Sequence, residues 1–224
     1  MLKELIRLFF PQTCIACNGS MVTNEQFLCS GCLLHLPQTR FHQMPQNPLE
    51  KMFWGRLPII RGFAFLQFRK GNSVQRILHE IKYRNNRELA VFIGKYYGSI
   101  LRAAGIFPDA IAAIPLHKDK QRKRGYNQSA LIAQGIAESL GIEDLSDHLQ
   151  RLKATETQTK KSRFERWENV GQVFAVTDNT PFMNRHVLLV DDVITTGATI
   201  EACGHALLSV SGTTISVAGI AFAA

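Results

Sequence analysis

The run Val187-Leu188-Leu189-Val190-Asp191-Asp192-Val193-Ile194-Thr195-Thr196-Gly197-Ala198-Thr199-Ile200 orders an apolar strand, an acidic pair and a hydroxyl-rich helix start. Four consecutive apolar residues read as a buried central strand, and in α/β folds the carboxyl ends of such strands form the ligand face. Asp191 and Asp192 are expected to cap that strand. Thr195, Thr196, Gly197, Ala198 and Thr199 then open a helix, so free backbone N–H groups, threonine hydroxyls and the positive end of the helix dipole converge where an anion binds. Two carboxylates beside that point would repel a bare polyphosphate. As acceptors, however, they suit the 2′ and 3′ hydroxyls of a ribose whose 5′-phosphate lies in the loop. Gly197 lets the backbone approach closely. The plainer alternative is a strand-to-helix turn with acidic caps. The glycine-lysine pattern of a P-loop is absent from the chain, which disfavours a nucleoside triphosphatase of that kind.

Working outward, the chain has 224 residues, 46% hydrophobic and 20% charged, enough for one substantial core and a small extra module. The 26 basic residues against 18 acidic give a net charge of +8, which favours anionic partners such as phosphates or nucleic acid without choosing between them. No apolar run approaches the ~20 residues of a membrane span. Met1 to Phe10 reads as a short amphipathic helix rather than a signal peptide or anchor, because Lys3, Glu4 and Arg7 interrupt it and no small-residue cleavage site follows. A cytoplasmic protein is expected.

Four of the five cysteines fall as Cys14-x-x-Cys17 and Cys29-x-x-Cys32. Each pair can fold as a knuckle presenting two thiolates, and two knuckles complete a tetrahedral zinc site of the ribbon type. Gly19 and Asn24 lie in the eleven residues between the pairs and permit a hairpin. Two disulfides are the alternative, disfavoured because nothing marks the chain for export. With all four positions filled by thiolates, the metal is expected to be structural. Cys203 shares a helical face with Ile200, Leu207 and Val210 and reads as a core residue.

Residues 1–40 are therefore taken as the zinc module with its short helix, 41–58 as a linker and 59–224 as the main domain. Pro45, Pro48 and Pro58 punctuate the connection, Gln38 to Pro58, which shows no sustained periodicity. In the main domain the patterns predict a strand over 62–68 and a helix over 72–83 with Val74, Ile77, Leu78 and Ile81 inward. A second helix, over 87–104, puts Leu89, Ile93, Tyr96, Ile100 and Ala104 on one face and stops at Gly105. There follow a strand over 109–114, a helix over 127–140, a short strand over 149–152, the strand 187–190, a helix over 198–210 and a strand over 214–222. Such alternation means a parallel sheet flanked by crossover helices.

Leu116, His117 and Lys118 follow the strand 109–114 and emerge at the same sheet edge as Asp191, a second wall. The basic run Lys118, Lys120, Arg122, Lys123 and Arg124 leads into Gly125-Tyr126-Asn127-Gln128-Ser129. A charge run is usually a solvated face, and that reading stays open for Lys120, Arg122 and Lys123; Arg124, bordering the glycine and the helix cap, is the better contact. The polar, basic stretch 155–173, with Lys160, Lys161 and Arg163, is long for a connection and reads as a working loop or as a surface loop with a short helix. Lys82 and Tyr83, ending the first helix, read equally as facing a second substrate or as core and surface residues.

The stretch 188–200 resembles the phosphoribosyl pyrophosphate (PRPP) signature of type I phosphoribosyltransferases. Taken with the paired cysteines, Arg124-Gly125-Tyr126-Asn127-Gln128-Ser129 and Ser162-Arg163-x-Glu165-Arg166-x-x-Asn169-Val170, nearly the whole chain resembles the ComF family. Two departures are visible: Tyr126 stands where phenylalanine is frequent, and Lys161 where an apolar residue is common.

The resemblance implies a type I phosphoribosyltransferase-like domain behind an N-terminal zinc finger, associated with DNA uptake for competence or with use of DNA as a nutrient. It implies magnesium-PRPP as ligand, with Asp191 and Asp192 at the ribose and Thr195 to Thr199 at the 5′-phosphate. Leu116 to Lys118 become the pyrophosphate loop, and 155–173 a loop closing over PRPP. The acceptor is not specified. A rival is a non-catalytic PRPP sensor or single-stranded DNA-binding scaffold whose zinc module recruits a DNA-translocating helicase.

Overall fold

The computed structural model describes residues 12–152 and 173–223. The first helix expected, within 1–10, and the loop residues Lys160, Lys161 and Arg163 lie outside the described residues. In chain order come helix α1 (Ser30–Leu34), helix α2 (Pro48–Met52), strand β1 (Gly62–Gln67), helix α3 (Ser73–Tyr83), helix α4 (Arg87–Ala103), strand β2 (Ala110–Ala113), helix α5 (Lys118–Arg124) and helix α6 (Gln128–Leu140). Then follow strands β3 (Glu143–Asp144), β4 (Leu149–Arg151), β5 (Phe174–Val176) and β6 (His186–Ile194), helix α7 (Ala198–Leu208) and strand β7 (Thr214–Phe222).

Among the described residues five strands form one parallel sheet in the order β1-β7-β6-β2-β3. From β2 the chain steps outward to β3, then returns to β6 and continues through β7 toward β1. The direction of winding therefore reverses between β2 and β6, the place where open α/β sheets leave a crevice at their carboxyl edge. Strands β4 and β5 pair antiparallel in a separate two-stranded ribbon.

Alternate residues of each buried strand feed two cores. Phe63, Phe65, Ile111, Ala113, Leu188 and Val190 pack with α3, α4, α6 and the cysteine segment. Ala64, Ala112, Val187 and Leu189 pack on the opposite side with α7 and with Phe53 and Leu57. Asn72, Asn86 and Asn127 cap α3, α4 and α6, their side chains accepting N–H groups of the first turns.

Two sequence expectations need correction. On α4 the buried face is Leu89, Ala90, Ile93, Gly94, Tyr97, Gly98 and Leu101, while Ala104 is exposed. The helix turns its glycines inward because α4 and α6 cross closely: a Cβ on Gly94 would collide with the Ile132 carbonyl, and one on Gly135 would lie 2.8 Å from the Lys95 nitrogen. Strand β6 does not end at Val190 either. It runs on through the acidic pair to Ile194, in register with β7 at Asp191↔Gly219 and Ile194↔Phe222.

The 38–58 stretch is also ordered against the core. Asn47 is fully buried, accepting the N–H groups of Leu49 and Glu50 and donating to the Gly62 carbonyl at 2.9 Å. Pro48 sits in the first turn of α2, where its missing N–H costs nothing.

Candidate functional site

Beyond Val190 strand β6 loses its neighbour on one side. The last rung between them is the Ile114 N–H on the Val190 carbonyl, 2.9 Å, and Pro115 then has no N–H to offer. With β7 still paired on the other side, Asp191 and Asp192 are held in extended backbone at the open crevice.

Each carboxylate is engaged by a different helix. Asp191 Oδ1 accepts from the Ser129 hydroxyl of α6 at 3.0 Å and from the Asp192 N–H at 2.8 Å. Asp192 receives Lys82 Nζ, from the last turn of α3, at 3.0 Å on Oδ1 and 2.9 Å on Oδ2. Burial, then the neighbouring Asp192 charge, pushes the Asp191 carboxyl up to about 6, against the opposing pull of the Asp192 N–H, the Ser129 hydroxyl and Lys82. The sequence leaves Lys82 open between facing a second substrate and a core or surface role; only the fold joins positions 82 and 192.

After Ile194 the chain turns through Thr195 and Thr196 to Gly197, whose φ of +73° is left-handed and favours glycine. A Cβ there would also lie 2.8 Å from the Phe53 ring, so the residue is constrained from the protein side as well. Asp191 and residues 193–200 line one small hollow. Arg56 braces the turn from below: its guanidinium donates to the Thr196 carbonyl at 3.1 Å and the Met52 carbonyl at 3.2 Å while pairing with Glu201 of α7. Nothing in the sequence around Arg56 marks it for this role.

The run 124–129 ties the crevice together, one residue at a time. Arg124 donates to Gln128 Oε1 at 2.9 Å and lies over the Tyr83 ring. Gly125 caps α5 with φ +78°. The Tyr126 hydroxyl, the departure from phenylalanine, donates to the Ile81 carbonyl of α3. Asn127 donates to the Ile114 carbonyl at 2.9 Å and caps α6. Ser129 reaches Asp191. The ends of β2, α3 and α6 are thus fixed to β6 by one hexapeptide.

Leu116 and His117 stand partly exposed after β2, and His117 caps α5 through its ring nitrogen. Lys118 begins α5; its side chain lies outside the described set. The 116–118 segment leaves β2 at the same sheet edge as Asp191.

At the other end of the chain, the sulfurs of Cys14, Cys17, Cys29 and Cys32 all lie within 4.8 Å of one another. A tetrahedral zinc with Zn–S of about 2.3 Å needs sulfurs about 3.8 Å apart, and Cys17 and Cys29 stand at 3.9 Å. Backbone N–H groups point at the sulfurs: Gly19 to Cys17 and Cys29 to Cys14, each at 3.3 Å, and Cys32 to Cys29 at 3.4 Å. Burial raises the Cys14 thiol, but the N–H groups of Cys29, Cys17 and Ala16 outweigh it and bring the group down to about 7. The donor set fits a structural zinc. Cys203 is fully buried in the second core, where burial pushes its thiol up to about 12, as befits a packing residue.

Among the described residues no helix is long and apolar enough to cross a membrane. No protein-family model matches the chain. It is 29% identical over 235 residues to competence protein F of Haemophilus influenzae, covering 95% of this chain and 98% of that one. It is 32% identical over 229 residues to the DNA utilization protein YhgH of Salmonella typhimurium, covering 94% and 96%. Of solved structures, glutamine PRPP amidotransferase from B. subtilis, complexed with ADP and GMP, superposes with a TM-score of 0.45 at 18% identity, over 62% of this chain and 30% of that one.

Proposed function

This chain belongs to the ComF family, and from that premise we propose that it binds the magnesium complex of PRPP and transfers phosphoribosyl to an acceptor in DNA uptake or utilisation. The observation that carries the reading is the single hollow shared by Asp191 and the turn 195–199, at the point where the sheet reverses its winding.

The 5′-phosphate takes the free N–H groups and hydroxyls of Thr195, Thr196, Gly197, Ala198 and Thr199. Asp191 and Asp192 accept from the ribose hydroxyls. Leu116, His117 and Lys118 line the diphosphate, and Arg124 borders the crevice. Lys160, Lys161 and Arg163 belong to the covering loop on this reading. Because Ser129 and Lys82 already engage the two carboxylates, magnesium would be carried mainly by the ligand and water and would supply neutralisation of the diphosphate charge. As the C1–O bond to diphosphate breaks, its electron pair leaves with the pyrophosphate. The positive charge left on the ribose is stabilised electrostatically by the acidic pair until a nucleophile attacks C1. The four cysteines of 1–40 hold a structural zinc, and 59–224 carries the transferase site.

The net charge of +8 is equally compatible with a second reading, a non-catalytic PRPP sensor or single-stranded DNA-binding scaffold that recruits a helicase through the zinc module. Incubation with labelled PRPP, magnesium and a panel of bases and DNA strands separates the two. Acceptor-dependent label transfer supports the enzyme. Salt-sensitive DNA binding that survives Asp191→Asn with Asp192→Asn, without transfer, supports the scaffold.

A further inference from the structure

Tyr83 ends α3 one residue after the lysine that grips Asp192, and its ring is 65% exposed. An aromatic ring left in water is ordinarily unremarkable. This one is held. The Arg124 guanidinium lies over it, 5.6 Å from its centroid, and the His79 ring stands 5.1 Å away on the preceding turn. Arg124 is itself fixed by Gln128, a buried residue. The backbone on which Tyr83 stands is anchored by the Tyr126 hydroxyl on the Ile81 carbonyl. A second cation–aromatic pair, Arg87 over Tyr126 at 5.0 Å, stiffens the same turn.

From this juxtaposition we propose that Tyr83, flanked by Arg124 and His79, is a stacking platform for an unpaired nucleobase. A planar heterocycle gains from stacking on an exposed ring that a guanidinium holds in place, and neither group imposes a donor–acceptor code. Solvation alone does not require the arginine to lie on the ring. The base would lie beside Asp192, so the platform serves as acceptor subsite; that assignment of role rests on the sugar-phosphate reading, whereas the platform itself does not. The base comes free or at the end of a single strand, and the same chemistry recognises both.

The test uses the full zinc-loaded chain and the variants Tyr83→Leu and Tyr83→Phe. Each is titrated with free adenine, guanine, uracil and thymine, with dA and dT strands of about 12 nucleotides, and separately with magnesium-PRPP. At least one base or strand is expected to bind the wild type, about tenfold more weakly in Tyr83→Leu and within about twofold in Tyr83→Phe, with PRPP affinity equal in all three. Binding by free bases alone or by strands alone identifies the source. Equal base affinity in Tyr83→Leu and wild type, or no base or strand binding to the wild type, overturns the platform. Tyr83-dependent base binding without PRPP binding keeps the platform and removes the sugar-phosphate reading.

Discussion

Lys82 Nζ lies 2.9 Å from Asp192 Oδ2, joining the end of the first long helix to the acidic pair 110 residues later. Both side chains are mostly shielded, with 21% and 14% of their surface exposed, so the contact is stronger than an ordinary surface pair. It also brings a positive charge to a place where two adjacent carboxylates would otherwise repel each other. Lys82→Met should lower stability by about 1–3 kcal/mol, because Asp192 is left without its partner. A double-mutant cycle with Asp192→Asn, followed by urea denaturation, should return a coupling of similar size; additivity would show the pair to be energetically idle.

Asp191 makes stability depend on pH in a defined direction. Its carboxyl titrates near 6 in the folded chain against an ordinary 3.8, so between those values the folded state holds a proton that the unfolded state has released. Stability from this group is full below about pH 4, falls as pH rises toward 6 and is gone above it. Asp191→Asn should accordingly gain on the order of 1–2 kcal/mol at pH 8, with the advantage vanishing by pH 4. Denaturation of both proteins at several pH values checks this, and a difference that is flat across the range would refute the desolvated, proton-holding carboxyl.

Gly197 has two independent reasons to resist substitution: its φ of +73° and the Phe53 ring 2.8 Å from where a Cβ would stand. Gly197→Ala should cost about 2–4 kcal/mol and loosen the turn. Gly197→Ala with Phe53→Leu should recover only the steric part. Thermal melting of the single and double variants measures the split.

The cysteine cluster should carry one zinc per chain, seen by elemental analysis and lost in Cys17→Ser or Cys32→Ser. Chelation should lower Tm by on the order of 10 °C, because metal binding is coupled to the folding of a segment with little core of its own. An unchanged melt after complete chelation would exclude a structural role.

What the sequence made legible was set by local signals. Val187 to Val190 is a strand because four apolar residues can be buried on both sides, and apolar periodicity places the starts of α3, α4 and α6 within a residue. The buried face of α4 was misread because packing there selects Gly94 and Gly98, which carry no hydrophobic signal, over Tyr96 and Ile100. The acidic pair hid the continuation of β6, since carboxylates normally close a strand. Proline density in 45–58 masked the Asn47-Pro48 cap and the burial of Phe53. The partnerships Lys82–Asp192, Ser129–Asp191 and Arg56–Thr196 join distant positions, and periodicity holds no record of them. Lys160, Lys161 and Arg163 are sequence expectations only.

The most direct measurement is calorimetric titration of the zinc-loaded protein with magnesium-PRPP beside Asp191→Asn/Asp192→Asn. Saturable binding that weakens at least about tenfold in the double variant is expected, since two acceptors for the ribose hydroxyls are lost. No binding to the wild type, or equal affinity in both proteins, would contradict the sugar-phosphate site.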